Sequence, residues 1–189
     1  MATRFFQPST ALKFTLLGRW DEAVKTLNRL DPVIKEASLS AQMALGEQIV
    51  KVVKGHILNQ DLPWLPLTEK YLERKNAVGA DPRILIATQS YLNAIKVWKV
   101  GNRHLVMIGV PRGVHGTTIE GNSHPLEIAQ IAAIHEFAGN DKLRRPLWNP
   151  TIKEFGYGKG LLARYKTLFV ARARRRGISF SEKAFNRIF

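Results

Sequence analysis

The sequence predicts an α+β fold: a small antiparallel β-sheet flanked by helices, with a long N-terminal helix and a basic C-terminal helix. Three observations predict it. Apolar residues between positions 34 and 53 recur at helical spacing. Two β-rich segments flank Gly101-Asn102, which is typical of a hairpin turn. A third segment, 161–176, combines helical patterning with a high density of basic residues. A length of 189 residues favours one domain with appended segments.

Composition narrows the class of protein. Hydrophobic residues make up 45% of the chain, which is enough for a buried core. The chain has no cysteine, so disulfides, thiolate nucleophiles and cysteine-based metal sites are excluded. We expect neither a membrane span nor a secretory signal, because no apolar run approaches ~20 residues and no signal pattern is evident at the start. These features indicate a soluble, basic protein.

The formal charge of +14 is unevenly distributed. From Lys142 to Phe189 there are 13 basic residues and two acidic ones. One interpretation is local, because cations are favoured in the last turn of a helix and Gly177 is placed to end one. The excess of basic over acidic residues is larger than the end of one helix explains, so we favour contact with an anionic partner. The candidate residues are Arg172, Arg174, Arg175 and Arg176.

The N-terminal third is predicted to be an arm followed by helices. Residues 1–18 are apolar without a clear period and predict an extended arm or edge strand. Asp21 is a suitable cap for a first helix. Asp31-Pro32 then predicts the start of a long helix, with Asp as the N-cap and Pro at the first helical position. This helix should end between Gly55 and Gln60.

The middle of the chain carries the predicted hairpin. Its strands are expected at 96–100 and 104–110, joined by the Gly101-Asn102 turn. Two strands are marginal alone, so a third strand or a covering helix is required. Around the hairpin we expect an irregular 62–67 segment, short helices at 68–75 and 84–95, an exposed loop at 111–125 and a helix at 126–137.

Beyond the hairpin region, the sequence predicts an irregular connector and then the basic helix. Two prolines interrupt residues 144–150. Glycines at 156, 158 and 160 favour a flexible hinge over a phosphate-binding loop, since they match no nucleotide-binding pattern. We expect the basic helix at 161–176 and a short final helix at 181–189.

No catalytic constellation is evident. The four histidines of the second half, His104, His115, His124 and His135, lack the spacing of a metal site. Ser90 lies in no nucleophile elbow. Adjacent Asp21 and Glu22 are explained by a helix start, where negative charge is favoured. We therefore predict no enzymatic activity, no metal and no cofactor.

An ordered series of short motifs runs through residues 62–150. Its segments are Trp64-Leu-Pro-Leu67, Tyr71 to Lys75, Leu85 to Ile95, the hairpin at 96–110, Ile134-His-Glu-Phe-Ala-Gly139 and Arg145-Pro146-Leu147. In this order the segments resemble the virion-morphogenesis or tail-completion (neck) proteins of long-tailed phages. Three positions depart from the family pattern: Gln89 stands at a usual Gly, Ala138 interrupts a Phe-Gly step, and Leu147 replaces an aromatic residue.

The resemblance implies an α+β core at 61–150. It does not cover the N-terminal arm and long helix at 1–60 or the basic helical tail at 151–189, which are predicted from their own residues. It implies a non-enzymatic virion protein that forms a ring of six subunits at the head–tail junction or tail end. Its partners would be portal or tail-terminator proteins and packaged DNA, with assembly in the host cytoplasm and no membrane contact. The expected subunit contacts are Trp98, Val100, His115, Glu136, Phe137 and Arg145.

The alternative is a nucleic-acid-binding protein that uses the basic C-terminal helix. In that case Trp98, Trp148 and Tyr157 are candidates for stacking on bases. A salt titration separates the two functions, because binding to nucleic acid weakens steeply with salt.

Overall fold

A computed structural model describes residues 20–101, 104–141 and 143–179. The predicted arm at 1–18 and the predicted final helix at 181–189 lie outside these ranges. The described elements are α1 (Trp20–Asn59), α2 (Glu69–Ala77), α3 (Ser90–Ala94), β1 (Lys96–Lys99), β2 (Val106–Gly109), β3 (His115–Thr117), β4 (Ser123–Glu127), α4 (Ile128–Phe137), α5 (Trp148–Glu154) and α6 (Tyr157–Arg175). The α+β class is confirmed.

Helix α1 is longer than predicted. It runs through Pro32 without stopping, so the predicted start at Asp31-Pro32 is wrong. Proline removes one N–H donor from a helix but does not by itself end it when the residues on both sides are helical. Its end at Asn59 agrees with the prediction.

The predicted hairpin is confirmed, and α1 covers it. Strands β1 and β2 pair antiparallel, with Val97 opposite Ile108 and Trp98 opposite Met107. Gly46 of α1 lies against Val97 and Ile108; a Cβ atom at this glycine would stand 2.8 Å from a Val97 methyl group. The covering element that a two-strand sheet requires is therefore the middle of α1.

A second hairpin replaces the predicted loop at 111–125. Strands β3 and β4 pair antiparallel, so the prediction of an exposed loop is wrong. The sequence signal was weak because the strands are short and interrupted by glycine, and because Pro125 lies inside β4. Proline is tolerated in a strand that pairs on one side only.

Two clusters of buried residues form the core. The larger one joins the second half of α1 (Ile49, Val53 and Ile57) to α3, α4 and α5. The smaller one joins Ala37 and Ala41 of α1 to Phe169 and Ala173 of α6. Helix α6 therefore packs along α1.

Candidate interaction surfaces

The resemblance motifs meet at the connector between α4 and α5. The carboxylate of Glu136 accepts hydrogen bonds from the backbone N–H groups of Leu147, Trp148 and Asn149 at 2.8–3.0 Å. The indole N–H of Trp64 donates to the carbonyl oxygen of Pro146 at 2.9 Å. Three separate segments of the chain are thus joined at one point. An anion at the first turn of a helix also satisfies N–H groups that have no partner within the helix.

Two predicted contact residues lie inside the subunit. Glu136 is 7% exposed and Arg145 is 4% exposed. The backbone N–H of Arg145 donates to the carbonyl oxygen of His135, and one of its guanidinium nitrogens donates to the carbonyl oxygen of Arg144. Neither side chain has enough free surface for a partner, so we remove both from the predicted ring contact. The sequence could not distinguish a buried carboxylate that caps a helix from an exposed one.

Phe137 is exposed, whereas its neighbour Glu136 is buried. Its side chain is 81% exposed at the end of α4. It borders a shallow depression of about 520 Å³ whose other lining residues are Ala132, Ala133, Glu136, Trp148, Asn149 and Ile152. We call this the α4–α5 face. An aromatic side chain exposed beside an apolar depression is typical of an interaction site.

A second apolar surface lies on the first hairpin. Val97 and Ile108 pack against α1. Because side chains alternate along a strand, Trp98 and Met107 lie on the other face of the hairpin, away from α1. Met107 is 47% exposed, and Trp98 is partly exposed. The outer face of the hairpin is defined by these two residues and Leu105, which is 48% exposed.

The remaining predicted contacts are less distinctive. Val100 follows β1 and is partly buried; its backbone N–H donates to the carbonyl oxygen of Leu105 at 3.0 Å. His115 is exposed at the start of β3, with its ring nitrogen 3.2 Å from the carbonyl oxygen of His124. Val100 therefore directly follows the strand that carries Trp98, whereas His115 belongs to the second hairpin.

The four arginines at the end of α6 differ in their contacts with the rest of the chain. Arg172 donates from Nε to the hydroxyl of Ser40 at 2.9 Å, and Arg176 Nε lies 3.5 Å from a carboxylate oxygen of Glu36. Both contacts join α6 to α1, although the Arg176–Glu36 pair lies at the surface, where such pairs add little stability. Arg174 and Arg175 are exposed and make no ion pair among the described residues. They are the members of the cluster that are available to an anionic partner.

One buried histidine was missed by sequence reasoning. His56 lies in the last turn of α1 and is 7% exposed. Its two ring nitrogens lie 2.7 Å from Asp61 and 3.0 Å from Glu154. The residue ties the end of α1 to α5. No spacing in the sequence relates residue 154 to residue 56, so this site could not be predicted.

Within the described ranges, no helix is both long and apolar enough to cross a membrane. In the same ranges, no three histidine or carboxylate side chains are grouped as a metal site would require. Comparison of the chain with models of protein families, with curated proteins and with solved structures finds no match.

Proposed function

We propose that the chain is a structural virion protein of a tailed phage, which completes the tail or connects it to the head portal as a ring of identical subunits. The observation that carries the proposal is the exposure of Phe137, at 81%, beside an apolar depression. Burying such an aromatic side chain in an interface contributes about 1.5–3 kcal/mol. A second copy of the chain is its proposed partner.

The two apolar surfaces suit a ring. The α4–α5 face and the outer face of the hairpin are built from different elements of the subunit. A cyclic ring needs two different, complementary surfaces on each subunit, whereas a two-fold dimer needs one surface that contacts itself. We propose that the α4–α5 face of one subunit contacts the hairpin, near Trp98 and Met107, of the next.

The motifs that carry the resemblance also support the proposal. Trp64, Glu136 and the Arg145-Pro146-Leu147 connector are distant in sequence and interact directly in the fold. Gln89 stands where the family usually has glycine, and its φ is +58°, a left-handed conformation that favours glycine. The local conformation at residue 89 is thus the one that a glycine in a related sequence would adopt.

Arg174 and Arg175 are the proposed contact with a negatively charged neighbour in the virion. Portal or tail-terminator proteins and packaged DNA are the proposed partners. Both side chains are exposed on α6 without an ion pair among the described residues, whereas Arg172 and Arg176 already have partners on α1. We therefore place the anionic contact on Arg174 and Arg175 alone.

Electron microscopy of the purified chain at moderate salt tests the proposal. We expect closed rings, with six subunits as the expected number. Particles that remain single subunits, and that also fail to join purified phage tails or capsids, would rule out the proposed function.

The second candidate function, nucleic-acid binding, is favoured by the exposed Arg174 and Arg175. It predicts that affinity for DNA falls steeply as salt rises, and that the Arg174→Gln/Arg175→Gln variant has a smaller salt dependence. A ring held by apolar contacts would persist over the same salt range. DNA affinity without rings would favour this candidate over the first.

A further inference from the structure

The N-terminal half of α1 extends beyond the end of α6, the helix that packs on it. Ala37 is the first buried residue of α1, and each described side chain before it is exposed or partly exposed. Helix α6 ends at Arg175, and the next residue, Arg176, pairs with Glu36. The length of α1 from Trp20 to Glu36, about 25 Å, therefore has no buried side chain among its described residues. Helices in proteins derive most of their stability from packing an apolar face.

One face of this exposed length is apolar. Helical spacing places Leu30 and Ile34 on the same face as Ala37 and Ala41. Helix α6 buries the two alanines, whereas Ile34 is 36% exposed and Leu30 is partly exposed. We call Leu30 and Ile34 the α1 stripe. The α1 stripe continues the face that binds α6 past the end of α6, which indicates a further packing partner at this place.

The chain leaves α6 beside the α1 stripe. Gly177, in a left-handed conformation at φ +79°, ends the helix, and the N–H of Ile178 donates to the carbonyl oxygen of Ala173 at 3.0 Å. Ile178 then packs against the cluster that contains Ala37. The residues that follow therefore start about one helical turn from Ile34.

Residues 180–189 have the sequence pattern of a short helix with one apolar side. Ser181 is a suitable N-cap. Phe180 and Phe185 stand at the two positions of a hydrophobic staple, directly before the cap and at the fourth helical residue. The apolar residues at helical spacing are Phe185, Ile188 and Phe189. A helix over 182–189 would be about 12 Å long, which is enough to cover the α1 stripe.

We propose that residues 180–189 pack as a short helix on the α1 stripe of the same chain. Phe185 and Ile188 supply the apolar contacts. The same chain is the occupant because the segment starts beside the stripe, so that little chain entropy is lost when the contact closes. The contact lies on α1 and does not use the α4–α5 face, so it is independent of ring formation.

Hydrogen exchange of the full chain, measured by NMR, tests the contact. In Phe185→Asp, the amides of residues 28–36 should exchange at least about tenfold faster than in wild type, because the charged side chain cannot be buried on the stripe. The amides of residues 49–57, in the larger core cluster, should be unchanged and show that the variant is folded. Lys183→Asp, on the polar side of the same segment, is the matched control and should exchange like wild type. Equal exchange in Phe185→Asp and wild type would overturn the proposal.

Two further measurements identify the occupant of the α1 stripe. Exchange of residues 28–36 should be the same over an about tenfold dilution, because the contact is within one chain. Faster exchange on dilution would assign the stripe to a second copy and contradict the proposal. Phe14→Asp should leave the exchange unchanged. Faster exchange in Phe14→Asp but not in Phe185→Asp would assign the stripe to the N-terminal segment instead.

Discussion

A carboxylate oxygen of Glu136 lies 2.8 Å from the backbone nitrogen of Leu147. The two residues belong to separate motifs, and the hydrogen bond joins the end of α4 to the start of α5. Glu136 directly precedes Phe137, so the residue that fixes this corner of the fold also determines where the exposed aromatic ring is presented. Position and exposure of Phe137 therefore depend on a buried polar contact.

We expect Glu136→Gln to lower the free energy of unfolding by about 1–3 kcal/mol, because an amide offers one acceptor oxygen to the three N–H groups that the carboxylate satisfies. Urea unfolding measures the change. Glu73→Gln is the control, since Glu73 is exposed on α2 and its substitution should stay within about 0.5 kcal/mol. Equal stability of the two variants would remove the structural role assigned to Glu136.

Two glycines of α1 should respond oppositely to alanine. Gly46→Ala places a Cβ atom 2.8 Å from Val97, so we expect a net loss of about 1–2 kcal/mol in spite of the better helix propensity of alanine. Gly55→Ala meets no atom within 4 Å and should gain about 0.5–1 kcal/mol. Thermal unfolding of both variants measures the two changes in stability. A stabilising Gly46→Ala would mean that α1 does not pack closely on the hairpin.

Replacing Gln89 with glycine should make the folded chain more stable. Its φ of +58° is disfavoured for a residue with a Cβ atom, so Gln89→Gly should raise the free energy of unfolding by up to about 1 kcal/mol. Asn93→Gly, at an exposed position in α3, should have the opposite sign because glycine weakens a helix. Chemical denaturation compares the pair. Destabilisation by Gln89→Gly would argue against the left-handed conformation at this residue.

The pH dependence of stability should include a contribution from His135. Burial, and then the positive charge of Arg145, hold the pKa of His135 below its ordinary value, although the carbonyl oxygen of Leu143 opposes the shift. The unfolded chain therefore binds this proton at a higher pH than the folded chain does. The contribution that neutral His135 makes to the free energy of unfolding is fully present above about pH 6.5. It is lost as the pH falls towards the lowered pKa.

Urea midpoints at about pH 7.5 and pH 5.5 measure this effect. Wild type should lose more stability between the two than His135→Gln, whose amide can still donate to the Leu143 carbonyl. The comparison with the variant removes the contributions of the other histidines. Identical losses in the two proteins would show that His135 is not held neutral by the fold.

The sequence predicted those elements whose signals are local. The first hairpin, with Val97 opposite Ile108, follows from the two β-rich segments on either side of the Gly101-Asn102 sequence, and the end of α1 follows from its apolar spacing. The second hairpin could not be predicted, because β3 is three residues long and Pro125 interrupts β4. Local patterns describe a strand only when it is long enough to show alternation.

Some of the predicted contact residues are exposed and others are buried. Phe137 is exposed, whereas the adjacent Glu136 and the more distant Arg145 are inside the subunit. A short motif does not say which of its polar residues satisfies the backbone of another segment. The cavity between α2, β3 and α4 has no sequence signal either, because these three elements contribute its walls from distant parts of the chain.

The mass of the purified chain in solution, measured by sedimentation at moderate salt for wild type and for Phe137→Asp, tests the proposed ring most directly. We predict that wild type sediments as a closed assembly, with about six times the subunit mass of 21.3 kDa, and that Phe137→Asp sediments as a folded monomer. Val78→Asp, at an exposed apolar residue away from the α4–α5 face, should retain the assembly. A wild-type monomer, or an assembly that persists in Phe137→Asp, would contradict the account.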